Sequence, residues 1–243
     1  MDIDSFLELV KKRRSIRRFK TDEVPQEAVE KMLEAARWAM SGANAQPWEF
    51  VVVRDKDTRQ RICDSWLEPN MEAYVIEQTR LPELRHHHLR APLTAPSFQE
   101  APVLIVMVGD RRTYQATVLA ASFLATEGAA DAIYFKNMAN ATQLLHLAAA
   151  AQGLGSEWIS VNRPWAQKIK AILGIPEILD VQTLAAVGYP AYTPSPAYRR
   201  PLKDIVHYDK YDMTKARSAR DIYDFLLTLR RATEKPYKQG LTK

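Results

Sequence analysis

Phe6, Leu9 and Val10 share one face at helical spacing, which predicts a short helix over residues 5–14 with Asp4 as its N-cap. Pro25 opens a second helix in which Val29, Met32, Leu33 and Ala36 recur at the same period, ending near Ser41–Gly42, where the glycine supplies a C-terminal cap. The β-branched and aromatic run Trp48–Val53 predicts a strand. The most continuous apolar run, PVLIVMVG from Pro102 to Gly109, predicts a buried central strand, and Gln182–Tyr189 a third strand. Residues 137–151 (NMANATQLLHLAAAA) predict a helix too apolar for much solvent contact. Its alanines imply close approach to another helix, within the subunit or across a dimer seam.

Two stretches differ in character. Residues 64–100 mix charges with prolines and carry helical fragments around Met71–Arg80, so they read as a partly helical lid. Residues 190–211 are rich in proline and tyrosine and read as an extended arm, followed by a helix over 217–232 carrying Ile222, Phe225, Leu226 and Leu229. The expectation is one α+β domain over residues 1–243, a mixed central sheet flanked by helices, with a helical lid and an extended C-terminal arm.

Composition narrows the class. With 47% hydrophobic and 26% charged residues the chain is typical of a soluble globular protein. No apolar run approaches the roughly 18–20 residues that span a bilayer, and the N-terminus lacks the pattern of a secretory signal. A cytoplasmic location and no membrane contact are therefore expected. The single cysteine, Cys63, excludes an internal disulfide or a cysteine-based zinc site. A net charge of +5 permits an anionic ligand but falls short of the basic face of a nucleic-acid binder. Much of the excess lies in residues 11–18 and 199–203.

The first of these clusters carries chemistry. Arg13-Arg14-Ser15-Ile16-Arg17-Arg18-Phe19 offers guanidinium groups and a hydroxyl suited to a phosphate, broken by Ile16 and Phe19, which would face inward. These residues alone fit a solvated basic helix end better. The loop Ser41-Gly42-Ala43-Asn44-Ala45-Gln46-Pro47-Trp48 offers small residues that let a planar ligand approach, with Asn44 and Gln46 as donors and acceptors. Other features point nowhere. His86, His87 and His88 are adjacent and cannot readily converge on a metal, so no metal site is expected. His146 on its apolar helix reads as a hydrogen-bonded core residue. There is no GxGxxG for a dinucleotide domain and no nucleophile elbow for hydrolysis.

Taken in order, RRSIRRF at 13–19, SGANAQPWEFVVV at 41–53, GLGSEWISV at 153–161 and VGYP at 187–190 with YRRPLKDIVHYD at 198–209 resemble the nitroreductase superfamily of FMN enzymes. In motif the chain is most similar to the iodotyrosine deiodinase and benzimidazole synthase-like branches. The resemblance implies that Arg13, Arg14, Ser15, Arg17 and Arg199 hold the FMN phosphate and ribityl chain. It implies a homodimer in which Ser41, Gly42 and Asn44 of the partner subunit meet the flavin from the other side. Ile159 and Ser160 are implied cofactor contacts, Ser160 falling where those branches place a hydroxyl near flavin N5, a contact that tunes electron chemistry; satisfying nearby backbone is the alternative role for Ser160.

The lid bears on the substrate. Deiodinases clamp a zwitterionic amino acid with a glutamate, a tyrosine and a lysine; alignment keeps Tyr74 but puts Asn70 and Ala95 at the two charged positions. Deiodination of tyrosine is thereby disfavoured. Ala43, Asn70 and Tyr74 remain the expected substrate contacts, with Tyr74 stacking on an aromatic ring or simply packing. The implied activity is FMN-dependent reduction of an aromatic or conjugated small molecule such as a nitro compound, with NADH or NADPH as a transient donor. A reductive dehalogenase or flavin-consuming benzimidazole synthase is the alternative, and a basic nucleic-acid-binding module the remote one.

Overall fold

The computed structural model describes residues 2–86, 89, 93–113 and 129–239, without the side chains of 129–130 and 232–239. The described chain divides into two compact units, one of residues 1–70 with 95–193, the other of 71–94 with 194–243.

The first unit is built on a four-stranded sheet, β1 (Trp48–Val53), β2 (Val103–Gly109), β3 (Gly155–Ser160) and β4 (Asp180–Gly188), in the order β1-β2-β4-β3. All three strand pairs are antiparallel. Among the described residues, parallel pairing enters only through the isolated bridge between Ser15 and Ser156, so among them the mixed character expected of the sheet is confined to that point. The run at 103–109 is the central strand its composition predicts: all seven residues are buried. Alternation sends Leu104, Val106 and Val108 to one face and Val103, Ile105 and Met107 to the other.

Helices cover both faces. On one side α2 (Gln26–Arg37) buries Val29, Met32 and Ala36 beside Met138, Ala141, Leu145 and Ala149 of α5 (Ala129–Ala151). The alanines of α5 thus serve helix packing inside the subunit. On the other side α3 (Lys56–Asp64) and α6 (Arg163–Leu173) bring Ile62, Cys63, Trp165 and Ile169 to a second core. Neither helix was legible as such, nor was β3. The first helix, α1 (Ile3–Lys12), is capped by Asp2, whose side chain accepts from the Ser5 amide, with Asp4 inside the first turn instead. α1 buries none of its residues; Phe6, Leu7 and Val10 all remain exposed. α2 stops at Trp38, and Gly42 opens a 3-10 turn (Gly42–Asn44) instead of capping the helix.

The helix α4 (Leu67–Gln78) falls in the region expected to be helical. In the second unit, α7 (Ala219–Gln239) continues beyond the predicted helix and is tied to the 3-10 turn Pro82–Leu84. Tyr223 donates to Glu83 at 2.9 Å, and Arg230 Nε to the Leu84 carbonyl at 3.0 Å. The arm before α7 holds two short 3-10 turns, Leu202–Asp204 and Met213–Lys215. Among the described residues no helix is long and apolar enough to cross a membrane.

Candidate functional site

Residues 13–20 do not trail from α1 but dock along the open edge of β3 and the end of β4. The Ile16 amide donates to the Ser156 carbonyl at 3.0 Å, the Lys20 amide to Tyr189 at 2.9 Å, and the Ala191 amide back to Arg18 at 3.1 Å. Ile16 and Phe19 are buried, as their apolar character predicts. Two paired glycines, Gly155 and Gly188, make the approach possible. A Cβ on Gly155 would lie 2.7 Å from Ile16 Cγ1, and one on Gly188 2.9 Å from Phe19 Cδ1. Arg13, Arg14 and Ser15 are half-buried at this edge.

β3 sends its residues to two different surroundings. Glu157 and Ile159 are buried on the α3–α6 side. Glu157 accepts from Arg17 Nε at 2.8 Å and from Ser97 Oγ at 2.8 Å, and burial raises its pKa against the lowering effect of Arg17 and Ser97. Arg17 is thus engaged with a buried carboxylate that the sequence did not suggest. Ser156, Trp158 and Ser160 face the α5 side by alternation. Ser156 Oγ shares a hydrogen bond of 2.7 Å with His146 Nδ1, and Trp158 stacks on the same imidazole at 5.7 Å. Burial, reinforced by the charge of Arg13, pushes the His146 pKa down to about 4, so the ring is neutral. Ile159 offers its carbonyl to Thr183 Oγ1 at 2.6 Å, and Ser160 ends the strand exposed. Since the Ser156 carbonyl points outward to Ile16, alternation turns the main-chain groups of Trp158 and Ser160 to the same open edge.

The loop after α2 is strained. Ala43, Asn44 and Gln46 have φ of 54°, 52° and 44°, in the left-handed region that non-glycine residues occupy at a cost. It is propped from α5: the Gly42 amide donates to Asn137 Oδ1 at 3.1 Å, and Asn140 donates to the Met40 carbonyl at 3.1 Å. Ser41 Oγ accepts from the Gln46 amide at 3.1 Å. Gly42, Ala43 and Asn44 remain exposed.

Arg13, Arg14 and Ser15 thus lie at the start of β3, and the main-chain groups of Trp158 and Ser160 face the same edge farther along it. The model of the nitroreductase family matches residues 10–189, from the end of α1 through β4. The chain belongs to the nitroreductase family. By that membership it is an oxidoreductase. It is 32% identical over 80% of its length to a Thermus thermophilus NADH dehydrogenase, covering 91% of that protein. It is 31% identical over 73% of its length to a 5,6-dimethylbenzimidazole synthase from Rhodospirillum rubrum, covering 78% of that protein. Its fold superposes with a TM-score of 0.66 and 25% identity on an iodotyrosine deiodinase bound to FMN and 3-iodo-L-tyrosine, over 84% of this chain and 99% of the other.

Relative to the nitroreductase motifs, the remaining residues are placed as follows. Asn70 does not project as a charged clamp would: its Nδ2 donates to the Trp66 carbonyl at 2.7 Å, one turn back, just before α4. Asn162, at the N-cap of α6, donates to the Pro69 carbonyl at 2.8 Å and lies 3.4 Å from Asn70 Oδ1. Ala95 is exposed. In the second unit Tyr74 is half-buried, with its carbonyl accepting from Gln78, and Arg199 is exposed, donating to the carbonyl of its neighbour Tyr198 at 2.9 Å. Cys63 is buried, which raises its thiol pKa to about 11 and fits packing over reactivity. Of the histidine run, His87 and His88 lie outside the described residues, among which no His, Cys, Asp or Glu side chains gather for a metal. His146, Ser156, Glu157 and Ser97 were not singled out as site residues by the sequence. The only signal for Ser156 and Glu157 was their position inside the third motif.

Proposed function

We propose that the protein binds FMN along the outer edge of β3 and passes electrons from NADH or NADPH to an aromatic or conjugated small molecule, as a cytoplasmic homodimer. One observation carries the reading: the arginine segment docks on Ser156, four residues before Ser160 on the same strand. It supports a phosphate at Arg13, Arg14 and Ser15 and a flavin ring farther along the edge at Ser160; for Ile159, buried on the other face of the strand, the family resemblance is the support. Arg17 contributes from its pair with Glu157. FMN, when bound, supplies the electron transfer. The protein's own part is to bind, orient and tune, so no side chain is needed as an essential acid or base.

The dimer reading draws support from apolar side chains left uncovered in the first unit: Phe6, Leu7 and Val10 of α1, Trp38, Met40, and Phe135 of α5. A second copy covering them would also bring Ser41, Gly42 and Asn44 to the partner's flavin, and Ala43 and Asn70 toward a substrate. For Arg199 and Tyr74 the family resemblance is the support. Purified protein is expected to show flavin absorbance that bleaches on anaerobic titration with NADH or NADPH. Colourless protein that cannot be reconstituted with FMN overturns the proposal. The relative named as a 5,6-dimethylbenzimidazole synthase, together with the Trp158-Ile159-Ser160 sequence, favours a second reading in which FMN is consumed. Product analysis after aerobic incubation with reduced FMN separates the two: benzimidazole formation supports the second, simple reoxidation the first.

A further inference from the structure

His146 is buried to 2% exposure in the C-terminal part of an apolar helix, yet it makes two directed contacts with a single strand. Its Nδ1 is bonded to Ser156 Oγ at 2.7 Å, and its ring lies on Trp158 with an interplanar angle of 22°. Its Nε2 has no hydrogen-bond partner among the described residues. Each strand residue it touches is itself tied to the proposed FMN edge. Ser156 receives the Ile16 amide at 3.0 Å and so fixes where the arginine segment lies. Trp158 is 41% exposed and stands two residues from Ser160 on the same face of β3. The charge of Arg13, the first residue of the segment, is felt at the imidazole. An aliphatic side chain at this position would fill the same space but strand the Ser156 hydroxyl in the interior.

We propose that His146 is a positioning residue of the flavin site: it locks Ser156 and Trp158 together, so that the phosphate-binding segment and the Ser160 contact keep one fixed separation along β3. The proposal deepens the functional reading above and rests on FMN binding at this edge. It distinguishes His146 from a histidine that merely satisfies the core, because its effect must appear in cofactor affinity and not only in stability.

The test uses full-length protein freed of cofactor and titrated with FMN, with thermal melts in parallel. His146→Phe keeps an aromatic ring against Trp158 and loses the bond to Ser156; Ser156→Ala removes the same bond from the other side. Each is expected to raise the FMN Kd about tenfold, the upper end for one neutral hydrogen bond. The double variant is expected to be no worse than either single one, because both remove one interaction. His146→Gln, which retains a group able to bond the Ser156 hydroxyl, is expected to recover affinity to within about threefold of the unaltered protein. Unchanged Kd values with a lowered Tm overturn the proposal, as do additive effects in the double variant. If His146→Phe fails to fold, Ser156→Ala decides by the same criterion. Failure of the unaltered chain to take up FMN is a separate result, which brings down the functional reading and this proposal together.

Discussion

Residues 13–19 and residues 41–46 each follow a helix, and they are held in opposite ways. The first stretch is docked: Ile16 and Phe19 are buried, main-chain bonds tie it to β3 and β4, and two glycines clear its path. The second is propped: three non-glycine residues sit at positive φ, Asn137 and Asn140 brace it from α5, and its tip is exposed. A docked segment has its geometry set by burial and needs nothing from outside the chain. A propped loop holds backbone strain that surrounding structure must enforce, a pattern that clusters at ligand contacts. The difference fits one half of a binding site built within the subunit and another half offered outward.

On that division, cofactor affinity is expected to reside mainly in the docked segment. Replacing both Arg13 and Arg14 by alanine is expected to raise the FMN Kd by a hundredfold or more, since truncating one partner of a charged hydrogen-bonded pair costs about 2–5 kcal/mol. Calorimetric titration of the cofactor-free variant checks this. A change below about tenfold would move the phosphate elsewhere and dissolve the contrast with the loop.

The anchoring of the docked segment is also expected to show in pH dependence. His146 is neutral in the folded chain, with its pKa lowered from 6.5 to about 4 by burial and then by Arg13. Between those values the unfolded chain binds the extra proton, so stability is full above about pH 6.5 and falls as the pH drops toward 4, by about 3 kcal/mol. Glu157, on the opposite face of β3, has its pKa raised by burial, and its sign is reversed: the folded chain holds the proton longer, so stability is lost as the pH rises through the window just above 4.5. Urea unfolding from pH 4 to 7 is expected to show a net gain with pH that disappears in His146→Phe and steepens in Glu157→Gln. A flat His146-containing profile would mean the ring is not held neutral.

The docked segment was visible in sequence as chemistry but not as structure. Arg13 to Arg17 alone read more readily as a solvated helix end, because what fixes them lies about 140 residues away or farther, in Ser156, Glu157 and the glycine pair. β3 escaped a periodicity reading for the same reason. Ser156 and Glu157 are polar residues that are buried because His146, Arg17 and Ser97 satisfy them, and no local pattern records a distant partner. β2 was plain, since a strand covered on both faces needs only apolar residues. α6 carries its signals, Asn162 as cap and Pro164 in the first turn, just past the end of the third motif at 161. In the loop, Gly42 reads from sequence as the C-terminal cap of α2; the structure ends α2 before it, and positive φ falls on Ala43, Asn44 and Gln46.

At the far end of the docked edge, Ser160→Ala is expected to leave FMN affinity within about threefold while lowering turnover of an aromatic acceptor about tenfold, the signature of a contact that matters to the reaction more than to binding. Parallel losses in Kd and turnover would instead make Ser160 part of the anchoring half.

The smallest expected effect concerns the loop itself. Ala43 sits at φ 54°, ψ 21° with its side chain exposed, so glycine there removes left-handed strain without removing packing. The greater freedom of glycine in the unfolded chain offsets part of that gain. A net stabilisation of about 0.5–1 kcal/mol is expected, read as a Tm rise of about 1–4 °C, with FMN affinity unchanged to within about twofold. Turnover is expected to fall modestly, because glycine lets the loop leave the shape that its bracing enforces. A loss of stability in Ala43→Gly would show that burial, not bracing by Asn137 and Asn140, holds the loop, and the two stretches would then be held by the same means.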